Sequence, residues 1–318
     1  MSRGDSSGFR KACGCRIMLL MPERIKARIH RFIAKHPNVA GLAAEVITAI
    51  PRVDIGKSDR DNLLIAQKWL NGGGGVIFYF APHTCIYDPA IVGQRLIRPY
   101  IKSKDIKHFA WLTSSKFSGA VDGKPSMGLA SVASERYASL MGFEMLPIYQ
   151  PYRLKRESIP IDPSLLEAAQ NNNFVSILRA RRILQSQGGI VATSPEGTRG
   201  TTGGLQRGHE GIQVLIKEKN AIAFPIVLSG VYRMQAKDNE GLVGLNPFIR
   251  IRARVGSPIN FRRAEEIAKL HKWKNEAEMG DFTIADALML HLAAVGLDPW
   301  MKDKDPLGVY ADENIEYL

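Results

Sequence analysis

The chain of 318 residues contains little cysteine and no long apolar segment. Its three cysteines, Cys13, Cys15 and Cys85, are too few for a disulfide framework, so we expect a reducing compartment. No segment approaches the ~18 consecutive apolar residues that a membrane-spanning helix needs. The early apolar run at residues 17–21 ends at Pro22 and is shorter than the ~7 to 15 residues of a signal-peptide core. These absences predict a cytoplasmic, unprocessed chain without a spanning helix.

Motifs that hold nucleotides or metals are also missing. The glycines of residues 72–75 precede a predicted strand but lack the Gly-Lys-Ser/Thr ending of a phosphate loop, and no G-x-G-x-x-G follows them. Cys13 and Cys15 supply two thiolates, but no second cysteine pair or histidine cluster completes a zinc site. The sequence therefore predicts neither a nucleotide cofactor nor a metal.

Positive charge is in excess, with 43 Lys and Arg against 31 Asp and Glu, a net charge of +12. Residues 1–36 contain nine basic and two acidic side chains. From Pro22 onward, apolar and basic residues form two adjacent stripes at helical spacing. This pattern is typical of a helix lying in an anionic membrane interface, and equally of an ordinary docked surface helix. The first interpretation makes a membrane surface the partner of residues 22–36.

Beyond residue 70, short apolar runs alternate with longer helical patterns, which is typical of βα units on a parallel sheet. Strands are predicted at 76–80, 108–112, 143–149, 190–193, 223–228 and 249–255. Helices are predicted at 89–98, 125–141, 173–187, 207–219, 262–273 and 283–295. The polar segment 150–173 contains three prolines and is predicted to leave the sheet.

The predicted fold is therefore α/β, a mostly parallel sheet flanked by helices. We expect three parts: a basic N-terminal helical module at 1–58, the α/β domain at 59–261, and a helical C-terminal extension with an acidic tail at 262–318.

The first candidate site residues follow a predicted strand, where sites collect in parallel sheets. His83 comes three residues after the strand at 76–80, and Asp88 comes five residues later. The carboxylate could accept a hydrogen bond from Nδ1–H, leaving Nε2 free to take a proton from an alcohol. Asp88 also precedes Pro89, so it could cap a helix instead, or do both.

A second candidate segment, residues 193–199, reads Thr-Ser-Pro-Glu-Gly-Thr-Arg at the end of another predicted strand. Gly197 would let the backbone approach a ligand, Thr198 offers a hydroxyl, and Arg199 offers a planar guanidinium that could hold a phosphate with two hydrogen bonds. The same residue types also make an ordinary solvated turn.

Together the two segments resemble the glycerolipid acyltransferase superfamily, which includes 1-acylglycerol-3-phosphate and glycerol-3-phosphate acyltransferases. His83 and Asp88 match its H-x-x-x-x-D motif, and residues 195–199 match the last five residues of its F-P-E-G-T-R motif. The resemblance covers roughly residues 60 to 260. Ser194 stands where the family has an aromatic residue, and Gln150 stands where its second motif ends in an arginine that helps to hold the acceptor's phosphate.

The resemblance implies an O-acyltransferase in which His83 deprotonates a hydroxyl that attacks a thioester directly, while Asp88 orients His83. It implies that the acceptor's phosphate is positioned by Glu196, Gly197, Thr198 and Arg199. Candidate further phosphate contacts are Arg153, Lys155 and Arg207. No bound cofactor is implied, because acyl-CoA or acyl carrier protein brings the acyl group as a co-substrate. The expected acceptor is lysophosphatidic acid, giving phosphatidic acid; the alternatives are glycerol 3-phosphate and another lyso-lipid.

A rival from another class is a non-catalytic basic protein that binds membrane surfaces or nucleic acid through its charge. The presence of both motifs argues against it, so no nucleic-acid partner is expected. Cys85 lies inside the first motif but has no basic partner other than His83, which favours packing over a nucleophilic role. We expect an enzyme of phospholipid biosynthesis, bound peripherally to the cytoplasmic face of a membrane.

Overall fold

The structure is a computed structural model that describes residues 50–84, 88–114, 138, 142–149, 163–197, 204–234, 248–296 and 307–318. Its main sheet has seven strands: β1 (Arg52–Ile55), β2 (Gly75–Ala81), β3 (His108–Ser114), β4 (Glu144–Ile148), β5 (Gly189–Thr193), β6 (Ala221–Ser229) and β7 (Arg250–Val255). A separate antiparallel pair consists of β8 (His271–Trp273) and β9 (Ile315–Tyr317).

The described helices are α1 (Lys57–Asn71), α2 (Asp88–Ile91), α3 (Arg98–Tyr100), α4 (Pro163–Gln185), α5 (Gly211–Ile216), α6 (Phe261–Leu270), α7 (Glu276–Met279) and α8 (Ile284–Ala294). A π-helical turn, Val92–Ile97, joins α2 to α3. Short 3₁₀ turns occur at Ser103–Asp105, Val231–Arg233 and Gly308–Tyr310.

The strand order across the sheet is β1-β7-β6-β2-β5-β3-β4. The five strands from β6 to β4 are parallel to one another. β7 runs antiparallel to β6, and β1 pairs parallel with β7. The mostly parallel α/β fold predicted from the sequence is confirmed. Because β1 and β7 are reversed, they begin at the edge of the sheet where β2, β5 and β6 end.

The central strand β2 is buried along its whole length. Phe78 and Phe80 join the core on the face covered by α1 and the α2–α3 segment, and Ile77 and Tyr79 join the core on the face covered by α4, α5 and α8. A strand covered on both faces needs apolar residues at successive positions, which explains the continuous apolar run in its sequence.

Two glycines let α4 approach the strands closely. A Cβ on Gly189 would lie 1.7 Å from the carbonyl oxygen of Ile183, and a Cβ on Gly75 would lie 2.3 Å from that of Leu184. No side chain fits at either position, so the start of β2 and the start of β5 are both fixed against the last turn of α4.

All six predicted strands are present, with ends that differ by one or two residues. The structure adds β1, which pairs with β7 and so places the sheet's first strand inside the predicted 1–58 module. The helix predicted at 173–187 starts earlier, since α4 begins at Pro163, within the segment predicted to leave the sheet. Residues 1–49 and, apart from residue 138, the helix predicted at 125–141 lie outside the described residues.

Part of the predicted C-terminal extension joins the domain core. α8 is apolar around most of its circumference, and Leu288, Met289 and Leu292 are buried in the same cluster as Tyr79 of β2. Tyr310 joins that cluster from the last described segment. α8 and Tyr310 are therefore packed in the core, whereas Tyr317 and Leu318 at the end of the chain are exposed.

Candidate active site

His83 and Asp88 meet at the carboxyl edge of the sheet. His83 comes two residues after β2, and Asp88 is the first residue of α2. Nδ1 of His83 lies 3.0 Å from Oδ2 of Asp88, and the same oxygen accepts a hydrogen bond of 2.8 Å from the backbone N–H of Thr84. The Asp88 side chain is fully buried, whereas the His83 side chain is 18% exposed. With Nδ1–H donated to the carboxylate, Nε2 is the ring nitrogen that can accept a proton.

The His83 ring also packs against an aromatic side chain. Its edge meets the ring of Phe80, with 5.7 Å between centroids and an interplanar angle of 84°. Phe80 in turn lies 5.7 Å from Trp111 of β3. The imidazole is therefore held by a carboxylate on one side and by an apolar wall on another, which restricts its rotation.

Glu196 joins the two candidate segments. β2 and β5 are neighbouring strands, and Thr193 is the register partner of Tyr79, so the loops that follow them lie side by side. Oε2 of Glu196 accepts a hydrogen bond of 2.7 Å from the backbone N–H of His83, and Oε1 accepts one of 2.8 Å from the backbone N–H of Gln206. The side chain is buried. Glu196 thus connects two loops by hydrogen bonds, and each of its oxygens accepts from a backbone N–H.

Burial raises the pKa of Glu196 to about 8, and the negative charge of Asp88 adds to the rise, while the hydrogen bonds from His83 and Gln206 oppose it. With both oxygens occupied by backbone donors, this acidic side chain offers a phosphate neither a positive charge nor a free hydrogen-bond donor. This geometry gives no support to the expected phosphate contact by Glu196, and it shows a different role for that side chain.

Gly197 closes the turn that contains Glu196. Its φ of 64° is in the left-handed region that favours glycine, and its N–H donates to the carbonyl of Ser194 at 3.0 Å. The carbonyl of Pro195 accepts from the N–H of His209 at 2.8 Å. The other predicted phosphate contacts, Thr198, Arg199, Arg153 and Lys155, lie outside the described residues, as do Gln150 and Cys85.

The side chain of Arg207 binds residues in the C-terminal part of the chain. Nε and Nη2 donate to the two carboxylate oxygens of Asp286 at 3.2 and 3.1 Å, Nη2 also donates to the carbonyl of Asp281 at 2.8 Å, and Nη1 donates to that of Met279. The guanidinium lies over the ring of Trp273, 5.5 Å from its centroid. Four N–H groups are thereby engaged within the protein, which gives no support to a phosphate contact by Arg207.

The sequence analysis missed the partners of Arg207. Asp286 is buried and closes a capping box with Thr283 at the start of α8, and Tyr310 donates to it from a segment 24 residues later in the chain, at 3.0 Å. The Thr-x-x-Asp pattern before an apolar run was a readable helix-start signal. Nothing in the local sequence shows that this aspartate pairs with an arginine 79 residues earlier.

Within the described ranges, no group of three or more His, Cys, Asp or Glu side chains is arranged to hold a metal ion. In the same part of the chain, no helix has the length and apolar character to cross a membrane.

No family model matches the chain, and a search of curated proteins also finds no match. Solved structures that match include a crystal structure of the 1-acyl-sn-glycerophosphate (LPA) acyltransferase PlsC from Thermotoga maritima, at 13% identity and a TM-score of 0.42, over 87% of this chain and 83% of that chain. A likeness this distant adds no weight to a functional assignment. The function has to be argued from the residues at the site.

Proposed function

We propose that the chain is an O-acyltransferase that moves a fatty acyl group from a thioester to a hydroxyl of a glycerolipid-like acceptor. The observation that carries the proposal is the contact between His83 Nδ1 and the buried Asp88 carboxylate, at the sheet edge where the Glu196 turn also lies. This arrangement leaves Nε2 as a base for an alcohol. The match of both segments to the acyltransferase motifs supports this reaction over other chemistry that begins with deprotonation of a hydroxyl.

In the proposed reaction, Nε2 of His83 takes the hydroxyl proton as the acceptor oxygen attacks the thioester carbonyl. The tetrahedral intermediate collapses with cleavage of the C–S bond, and the imidazolium returns the proton to the departing thiolate. An ester and a free thiol result, without an acyl-enzyme. Asp88 stabilises the imidazolium that forms in between and keeps the ring in its reactive orientation.

The favoured acceptor is lysophosphatidic acid, converted to phosphatidic acid, with acyl-CoA or acyl carrier protein as the donor of the acyl group. Thr198 and Arg199 are the proposed phosphate contacts, because they directly follow the turn that Glu196 holds against His83. Holding the acceptor's phosphate in place would orient its hydroxyl toward Nε2, and orientation of this kind contributes a large part of many enzymatic rates.

A lipid acceptor requires the site to face a membrane, and we propose the cytoplasmic face, with residues 22–36 as the interfacial helix. Two exposed apolar residues support this orientation. Phe248 and Ile50, which are 80% and 39% exposed, each precede a strand by two residues, β7 and β1 respectively. Both strands begin at the same sheet edge as His83, and both begin with an exposed arginine, Arg250 and Arg52. Apolar and cationic side chains at one rim suit an anionic lipid surface.

The test is product detection by mass spectrometry. Purified protein is mixed with acyl-CoA or acyl carrier protein donors and with lysophosphatidic acid, other lyso-lipids or glycerol 3-phosphate. We expect phosphatidic acid from lysophosphatidic acid, and a loss of about 10²-fold or more in His83→Ala. The matched control is His108→Ala. This substitution removes an exposed histidine at the start of β3, on the sheet edge opposite to His83.

A different acylated product would change the proposed acceptor and leave the proposed mechanism in place. If folded, membrane-bound protein gave no product with any pair, the acyltransferase proposal would fail and the non-catalytic binding function would be favoured. Equal rates in His83→Ala and wild type would remove His83 from its proposed role.

A further inference from the structure

The loop formed by residues 205–209, called the connecting loop below, lies between the candidate active site and the C-terminal part of the chain. On one side, the N–H of Gln206 donates to Glu196 at 2.8 Å. On the other side, the N–H of Gly208 donates to the hydroxyl of Tyr310 at 3.1 Å, and the carbonyl of Leu205 accepts from the N–H of Val309 at 3.3 Å. Residues of one short loop therefore bind both the site and the C-terminal segment.

Two glycines show how closely the C-terminal segment fits this loop. A Cβ on Gly308 would lie 2.1 Å from the carbonyl oxygen of Leu205, and a Cβ on Gly208 would lie 3.0 Å from Cγ of Met289 in α8. Gly308 has a φ of 55°, so its conformation also favours glycine. The connecting loop is therefore in close contact with α8 on one side and with residues 308–310 on the other.

A buried polar network holds the same elements together. Asp286 accepts from Arg207 on the connecting loop, from the backbone and hydroxyl of Thr283, and from the hydroxyl of Tyr310. The Tyr310 hydroxyl both donates to Asp286 and accepts from Gly208, so its hydrogen-bonding capacity is used on both sides. Trp273 packs beside both Arg207 and Tyr310. A network with this many satisfied members favours one arrangement of the loop.

We propose that Tyr310 and Asp286 are positioning residues of the active site, and that residues 307–318 act as a clamp on the connecting loop. The clamp fixes the N–H of Gln206, which fixes Glu196, which in turn fixes the backbone of His83. The activity part of this inference rests on the acyltransferase function proposed above. The structural part, a hydrogen-bonded path from Tyr310 to His83, does not.

The first test is Tyr310→Phe, which keeps the ring on Trp273 and removes the hydroxyl. Tyr317→Phe is the matched control, since Tyr317 is 69% exposed. We expect kcat of Tyr310→Phe to fall by about tenfold, because even ~1 Å of misplacement can cost more than this, with KM for the acyl donor unchanged. Activity is compared well below the unfolding temperature of each variant, so that a loss of folded protein cannot account for the result.

The pH dependence of the free energy of unfolding separates positioning from mere stabilisation. A weaker hydrogen bond from Gln206 disfavours the ionised form of Glu196, so Glu196 titrates at a higher pH in folded Tyr310→Phe than in folded wild type, and the fall of the unfolding free energy extends to higher pH. Among the described residues, the titratable groups around Glu196 are His83 and Asp88 on the β2 side and His209 on the connecting loop, whose ring interacts with the Glu196 backbone. None of them is changed by the substitution. The loss of a residue that only stabilised the fold would lower the free energy of unfolding by the same amount at every pH.

A second variant tests the clamp by steric contact and leaves its hydrogen-bonding side chains unchanged. Gly308→Ala places a methyl group against Leu205, whereas the control Gly73→Ala also has a positive φ but meets nothing within 4 Å. Both substitutions strain the backbone, but only Gly308→Ala displaces the connecting loop. We expect the loss of kcat in Gly308→Ala and not in Gly73→Ala.

Amide hydrogen exchange tests the path without any activity. We expect Tyr310→Phe to speed exchange at Gln206 and His83 by about tenfold, through local opening of hydrogen bonds that the hydroxyl does not itself make. Unchanged exchange at these two amides would overturn the inference. So would unchanged kcat in folded Tyr310→Phe and Gly308→Ala together with an unchanged pH dependence of unfolding. If wild-type protein were inactive with every substrate, the proposed function would fail, and the exchange result would still decide the clamp.

Discussion

Glu196→Gln offers the sharpest check on the energetics of the site, because it removes the titration of a buried group and changes almost nothing in its size. The glutamate accepts two backbone hydrogen bonds, one through each oxygen. Glutamine has one acceptor oxygen, so either His83 or Gln206 must face an NH₂ group. Loss of a hydrogen bond to a buried backbone N–H costs about 1–3 kcal/mol. We therefore expect the variant to be less stable than wild type at pH 5.

The difference between the two proteins in free energy of unfolding should shrink as the pH rises and, at the upper limit worked out below, reverse. Burial raises the pKa of Glu196 from its ordinary value of 4.5 to about 8. A group whose pKa is raised on folding stabilises the folded state below the unfolded pKa, and this contribution is lost as the pH rises through the folded pKa. From pH 4.5 to about 8, at about 1.36 kcal/mol for each pH unit, the upper limit of the loss is about 5 kcal/mol. Glutamine does not titrate, so its variant should lack this loss.

Urea unfolding at pH 5, 7 and 8.5 measures the effect, with Glu167→Gln as a control for removal of an exposed carboxylate. We expect the free energy of unfolding of wild type to fall with pH relative to Glu196→Gln, and the control to follow wild type. Parallel pH dependences for wild type and Glu196→Gln would refute the argument that Glu196 is held in a strongly desolvated place.

Three further outcomes are expected. Asp88→Asn should lower kcat by about 10²-fold or more while KM stays near wild type, because the amide cannot stabilise the imidazolium; initial rates equal to wild type would contradict this. Thr113→Val and Ser194→Ala should each raise the unfolding free energy by up to ~1 kcal/mol, since both hydroxyls are buried and have no hydrogen-bond partner among the described residues; a fall in the thermal midpoint would show that bound water satisfies them. In Phe248→Trp, the added tryptophan fluorescence should be quenched by vesicles of brominated anionic lipid. Trp69, which contacts Asn220 at the opposite sheet edge, should not be quenched in wild type. If Phe248→Trp showed no added quenching, the sheet edge that contains Phe248 would not face the membrane.

The strands were predictable where burial on both faces forces a continuous apolar run. β2 shows this pattern fully, and β5 and β6 show it almost as clearly. β1 was not predictable, because two of its four residues, Arg52 and Asp54, are charged. The hydrogen bond that Asp54 accepts from Arg250 forms only when β7 lies alongside. The start of α4 was hidden by prolines, although Pro163 stands at a position where a helix tolerates proline.

At the site, contacts between residues close together in the sequence could be predicted, and contacts between distant residues could not. The five-residue spacing from His83 to Asp88 is short enough for their contact to follow from a strand end and a helix start. Glu196 contacts His83 across 113 residues, so no local pattern shows that its oxygens are already occupied. Arg207 is a second example. The motif resemblance suggested that it contacts a phosphate, but in the structure it donates hydrogen bonds to Asp286.

The choice of a carboxylic acid at position 196 follows from what it must connect. Two backbone N–H groups from different loops converge on this side chain, and among side chains of its length only glutamate offers an acceptor to both. Burial makes its charge costly, which the raised pKa reflects, and the two hydrogen bonds offset part of that cost. In return, the backbone of His83 is tied to the turn that leads to Thr198 and Arg199. In the proposed enzyme, the distance between the base and the phosphate contacts would then be set by this one buried carboxylate, and hence by the connecting loop that holds it in place.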